Sequence, residues 1–228
     1  MQAFYYLLFF LSFSFPSTNN PSPSEIFISE TQRLYSEIKL DSIVNYNAFE
    51  QAIAGYNKIS TRRKNIITII DFSKPSTEER LYVIDIKKKE LLFSSYVSHG
   101  KKSGENYATS FSNVKGSNQS SLGFYVTEST YQGRNGYSLL LDGLEKGIND
   151  KARERAIVIH GADYANPDVI ASSGRLGRSQ GCPALPRELT KPIIDTIKDG
   201  SLLYIYADRD DYLFKSSLLS DYLAYNKP

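Results

Sequence analysis

The sequence predicts a mostly β fold, barrel- or sandwich-like, with a helical N-terminal segment. Three observations carry that expectation. Short runs rich in β-branched and aromatic residues recur between residues 65 and 207. Apolar residues at helical spacing are concentrated earlier, where Phe49, Ala52, Ile53, Tyr56 and Ile59 would share one helix face. Polar stretches containing glycine and serine separate the β-like runs, and no internal repeat is present.

In chain order, Ala3–Phe15 is almost wholly apolar, interrupted only by Ser12 and Ser14, and is followed by a polar, proline-containing stretch. Such a run is shorter than the roughly 20 residues that a spanning helix needs, and it suits the core of a signal peptide. Residues 1–20 are therefore expected to be an export signal, although only the terminal amine supplies its positive charge. The single cysteine lies far from this segment, which excludes a lipid-anchored leader. The remaining chain has no other long apolar run, so no stable membrane span is expected in the mature protein, and the expected location is the periplasm or cell envelope.

Residues 21–64 read as a linker and helical segment, with Asn45 or Asn47 as a cap. Residues 65–228 read as the main domain. Strands are expected at 65–72, 80–86 and 90–98, with Lys87–Lys89 turning the second pair. Residues 100–121 form a long polar loop, of a length that marks mobility or function. Further strands are expected at 122–127, 137–141, 156–160 and 201–207. A helix starting near Pro186 would place Leu189, Ile193, Ile194 and Ile197 on one side and end before Gly200.

Lys and Arg total 27 against 25 Asp and Glu, a balance too mild to argue for nucleic acid. The basic runs at Arg62–Lys64 and Lys87–Lys89 lack the interleaved aromatics that single-strand binding uses. One cysteine permits neither an internal disulfide nor a cysteine-based zinc cluster. Any Cys/His chemistry must come from Cys182 and one of two histidines, His99 and His160.

The stretch 156–186 concentrates that chemistry. A β-branched run delivers His160 at its end, a sound way to fix a general base, and Gly161 follows. A polar loop then leads to Ser179-Gln180-Gly181-Cys182-Pro183. Gly181 allows close backbone approach and frees amides to face a developing oxyanion. Pro183 restricts Cys182 to extended geometry. An imidazole near a thiol makes its deprotonation accessible near neutral pH. Taken singly, a lone cysteine is more often a small buried apolar group than a nucleophile. The combination is what points to catalysis.

This arrangement resembles the YkuD-like L,D-transpeptidases, in which a His-Gly pair precedes a Ser/Thr-His-Gly-Cys. More closely it is similar to the murein L,D-transpeptidase branch. That branch's pattern is matched by His160-Gly161-Ala162 and by Gly177-Arg178-Ser179-Gln180-Gly181-Cys182-Pro183-Ala184. The likeness extends upstream through 98–125 and 135–150, covering roughly 65–207. It implies the family's β-rich catalytic domain, acting on donor and acceptor stem peptides of peptidoglycan through a thioester, without metal or organic cofactor. It implies Cys182 as nucleophile, His160 as base, the Gly161 carbonyl as its orienter, and amides of Gly181 and Cys182 as the oxyanion hole.

Two departures accompany the resemblance. Gln180 stands where better-known members have a second histidine, and the loop from His160 to Cys182 is longer than usual. Hydrolysis of the same acyl-enzyme, as a carboxypeptidase or endopeptidase, and a non-catalytic wall-binding role remain the alternatives. Arg178 and Arg175, able to fork onto substrate carboxylates, are candidate substrate-binding residues. Ser179 joins them, with a turn-forming hydrogen bond as its other role. His99, at a strand end beside Gly100, is the rival base and is counted with the same group, in a supporting or loop-packing part.

Overall fold

The computed structural model describes residues 22–226; the expected export signal at 1–20 lies outside the described residues. The helical segment is two helices. Helix α1 spans Pro23–Glu37, opened by a capping box between Ser22 and Glu25. Helix α2 spans Tyr46–Lys58, and the Asn45 side chain accepts from the amides of Asn47 and Ala48.

Strands β1 (Ile66–Asp71), β2 (Leu81–Asp85) and β3 (Glu90–Ser95) form an antiparallel meander. Strands β4 (Gly123–Gly133) and β5 (Gly136–Gly143) form a long hairpin turned by Arg134 and Asn135. Strand β6 (Val158–Gly161) pairs with β5 and, in parallel, with the two-residue β7 (Ala184–Leu185). Between them lie a short 3₁₀ turn at Asp163–Ala165 and helix α3 (Asp168–Ser173). Helix α4 (Arg187–Ile197) leads into β8 (Leu202–Tyr206), and α5 (Asp210–Leu213) and α6 (Ser220–Asn226) follow.

The sheet order is β3-β2-β1-β8-β4-β5-β6-β7. Past β3 the chain bends back, and Ser98 bridges Ala184 of β7, the opposite edge. Its amide donates to the Ala184 carbonyl at 2.8 Å. The eight strands therefore curl into a nearly closed barrel, which leaves little open edge.

Strands β2 and β8 are buried along their whole length, as is β1 after Ile66. Burial on both faces is why they read as continuous apolar runs rather than alternating ones. Helix α2 packs on β1 and β8, while α4 packs on β5, β6 and β1. The α4 stripe of Ile193, Ile194 and Ile197 is fully buried. No helix among the described residues is long and apolar enough to cross a membrane.

Candidate functional site

His160 sits in β6, held by pairing to Ser138 of β5 and Ala184 of β7. It is 4% exposed. Its Nδ1 lies 3.1 Å from the Gly161 carbonyl oxygen, which can only accept, so Nδ1 carries the proton. Nε2 is left with its lone pair and no partner among the described residues. Burial lowers the imidazole pKa, and the neighbouring Arg187 charge adds to that. Gly161 is required by packing as well. A Cβ there would lie 2.5 Å from Thr190 Oγ1 of α4.

The parallel partner of β6 is the strand that follows Cys182, so sheet pairing fixes the cysteine turn beside His160. Within that turn Ser179 Oγ accepts from the Gly181 amide at 3.0 Å and donates to the Cys182 carbonyl at 2.6 Å. Gly181 has φ of 127°, a region disfavoured for side-chain-bearing residues, and a Cβ would meet Gln119 O at 2.8 Å. Its carbonyl accepts from Ser120 Oγ at 3.1 Å. Both polar groups of Gly181 are thus engaged, so its amide is not free for the oxyanion hole that the resemblance implied.

Cys182 is half-buried, and its Sγ points to the Ala156 carbonyl at 3.6 Å. Ala156 itself has φ of 54°, a left-handed conformation unusual for alanine, just ahead of β6. Burial raises the thiol pKa, opposed by a contact with the Val158 backbone and by the charge of Arg155. Cys182 and His160 line one cleft of about 540 Å³ without hydrogen bonding to each other. Both are neutral at rest: a thiol held by a carbonyl beside an imidazole with a free Nε2.

Lys101, Arg134, Arg155 and Arg178 also line the cleft, and among the described residues no carboxylate does. A cleft walled by one sign of charge draws oppositely charged ligands. Tyr164 lies on the same wall, its phenol pushed up to about 12 by burial and then by Cys182.

The other sequence-nominated residues divide. Arg178 reaches the cleft, but its guanidinium meets Glu105 at 2.6 Å and the Gly104 carbonyl at 2.9 Å. Arg175 bonds Glu105 from the other side at 3.0 Å and does not line the cleft. Ser179 lines the cleft while its hydroxyl is occupied in the cysteine turn. His99 is fully buried away from the cleft. Its Nδ1 accepts from Arg80 at 2.8 Å and its Nε2 faces Gly104 O at 3.3 Å. No lone pair is left for base chemistry, and burial and then Arg80 lower its pKa to about 4.

Arg155, Lys101 and Arg134 were not singled out from the sequence, and Ser120, within the family-like stretch, was given no role there. For Arg155 a signal existed, its place at the entry to the β-branched run that delivers His160. For Ser120 none did, because its link to Gly181 spans 61 residues.

A nearly closed eight-stranded sheet that sets one cysteine and one histidine on a common cleft has the architecture of an L,D-transpeptidase domain. Residues 40–206, well over half of the chain, match the model of the L,D-transpeptidase catalytic domain, and the chain belongs to that family. Helix α2 falls within the matched span.

Among solved structures the chain is similar to the L,D-transpeptidase from Mycobacterium smegmatis, at 15% identity over 63% of this chain and 59% of that one, TM-score 0.38. It is similar to Mycobacterium tuberculosis L,D-transpeptidase 1 at 15% identity over 63% and 62%, TM-score 0.34. For the L,D-transpeptidase from Stackebrandtia nassauensis the values are 12% identity, 79% and 77%, and 0.36. The chain spans about three fifths of the length of the two mycobacterial proteins. No curated protein matches.

Proposed function

We propose that this chain is a cysteine-dependent L,D-transpeptidase of the cell envelope, acting on peptidoglycan stem peptides through a thioester acyl-enzyme. The observation that carries the reading is the shared cleft, where Cys182 lies beside a His160 oriented by the Gly161 carbonyl with Nε2 free. In the reaction, Sγ swings from the Ala156 carbonyl toward the donor peptide carbonyl. Nε2 takes the thiol proton as the S–C bond forms, and the Cys182 amide stabilises the oxyanion. As the C–N bond breaks, the terminal D-residue leaves as its amine, carrying that proton. The amine of an acceptor stem then attacks the thioester, the thiol is regenerated, and a cross-link results.

Lys101 and Arg134 have no carboxylate partner among the described residues, and they are the charges offered to the free carboxylates of a stem peptide. Arg178, Arg175, Ser179 and His99 act behind them in this reading. The two arginines hold Glu105, Ser179 shapes the cysteine turn, and His99 packs under the loop after β3.

A wall-binding role without catalysis is favoured by one observation, the Sγ bonded to Ala156 O instead of to His160. Mass spectrometry of tetrapeptide muropeptides, incubated with the protein and with Cys182→Ala, separates the readings. A dimer lacking one terminal D-residue, absent with the variant, supports transpeptidation. Shortened monomers alone identify a hydrolase, and unchanged peptides that remain bound identify a wall-binding protein.

A further inference from the structure

We propose that Arg155 is the counter-charge of the Cys182 thiolate, a positioning residue that determines how readily the nucleophile ionises. The inference rests on the reading of Cys182 as nucleophile. Arg155 is half-buried and donates only to neutral acceptors. Nη1 bonds Ser112 O and Ser121 Oγ; Nη2 bonds Gln119 O and Ser117 Oγ. It makes no ion pair among the described residues, whereas nearby Arg153, Arg175, Arg178 and Arg187 each meet a carboxylate. Removing a cation from water with no counter-ion is costly, and such charges persist where an anion forms in function.

The position of Arg155 identifies that anion. Nη2 would lie 3.3 Å from a Cβ placed on Gly181, and Arg155 and Cys182 line the same cleft. The thiol's own hydrogen bond goes to Ala156, the next residue. Tyr125, the other acid close to Arg155, is buried with its phenol pKa raised, so it stays neutral. Of the other ionisable groups on the cleft, His160, Tyr164 and Arg178 cannot replace Arg155. His160 is neutral at rest, Tyr164 is a neutral phenol, and Arg178 is neutralised by Glu105. Lys101 and Arg134 line the cleft without ion pairs.

An opposite charge within about 4–6 Å lowers an acid's pKa by about one unit or more. Because Cys182 is the only cysteine, the pH dependence of its alkylation by iodoacetamide, followed by intact mass, reads its ionisation alone. In Arg155→Gln the midpoint is expected to rise by about one pH unit, with alkylation near neutrality slowed about tenfold. Arg155→Lys keeps the charge and is expected to stay near the unmodified midpoint. Ser117→Ala, which removes a loop hydrogen bond and no charge, is expected to leave it unchanged.

An unshifted midpoint in folded Arg155→Gln overturns the proposal, as does an equal rise in Ser117→Ala. Should Arg155→Gln fail to fold, Arg155→Lys decides: a midpoint near that of the unmodified protein supports the proposal, and a rise of a full unit overturns it. Failure of the transpeptidase reading appears separately, as absent muropeptide turnover with the Arg155 dependence of the thiol intact.

Discussion

The Ser179 hydroxyl bridges its own turn, taking the Gly181 amide at 3.0 Å and giving its proton to the Cys182 carbonyl at 2.6 Å. One side chain thereby holds the backbone on both sides of the Cys182 N–Cα bond. Ser179→Ala removes both bonds and leaves two backbone groups short of a partner. A loss of about 1–2 kcal/mol in stability is expected, by thermal melting. Carbapenem acylation of Cys182, followed by mass, is expected to slow more than the melting shift alone explains.

Gly181 tolerates no side chain. With φ of 127° and Gln119 O at 2.8 Å from a Cβ, Gly181→Ala strains the backbone and displaces the wall loop. The expected cost is about 1–3 kcal/mol with near-complete loss of acylation. Wild-type acylation by a stable Gly181→Ala protein would show that this turn does not set the cysteine's position.

Strand and helix content was largely legible, because β1, β2 and β8 are rich in aliphatic and aromatic residues and α4 carries a clean stripe. The pieces that escaped exist only by pairing. Ala184–Leu185 becomes β7 through His160 and Gly161, and the polar second half of β4 is a strand because β5 lies against it. The break between α1 and α2 uses Lys39 and Ser42 at positive φ, where no glycine announces a turn. The loop at 100–121 is cross-tied, with Ser120 bonding Gly100, Ser103 and Gly181. Local sequence also gives His99 and His160 one signature, a strand end followed by glycine. What separates them is Arg80, buried against His99 from another strand boundary, which no spacing encodes.

His99 makes stability pH-dependent. Its pKa is about 4 when folded and near its ordinary value of 6.5 when unfolded. Between those values the unfolded chain binds a proton that the folded one refuses. Stability from this group is complete above about pH 6.5 and falls as pH drops toward 4, by up to about 3 kcal/mol. Melting temperatures across this window are expected to flatten in His99→Gln relative to the unmodified protein. Equal slopes in the two would contradict the assignment.

The neutral resting pair has a kinetic signature. Burial raises the Cys182 thiol and lowers the His160 imidazole, so alkylation is expected to climb continuously from neutral to alkaline pH. A plateau extending down to about pH 5 would indicate a preformed thiolate–imidazolium pair instead.

In the proposed reaction Cys182 forms the acyl bond with His160 as its base. Intact-mass measurement of the protein mixed with a carbapenem tests this most directly, with peptide mapping of the adduct. One stoichiometric adduct on Cys182 is expected, none in Cys182→Ala, and formation slowed at least about 100-fold in His160→Gln. A folded protein that takes no adduct, or one that His160→Gln acylates at the unmodified rate, would contradict it.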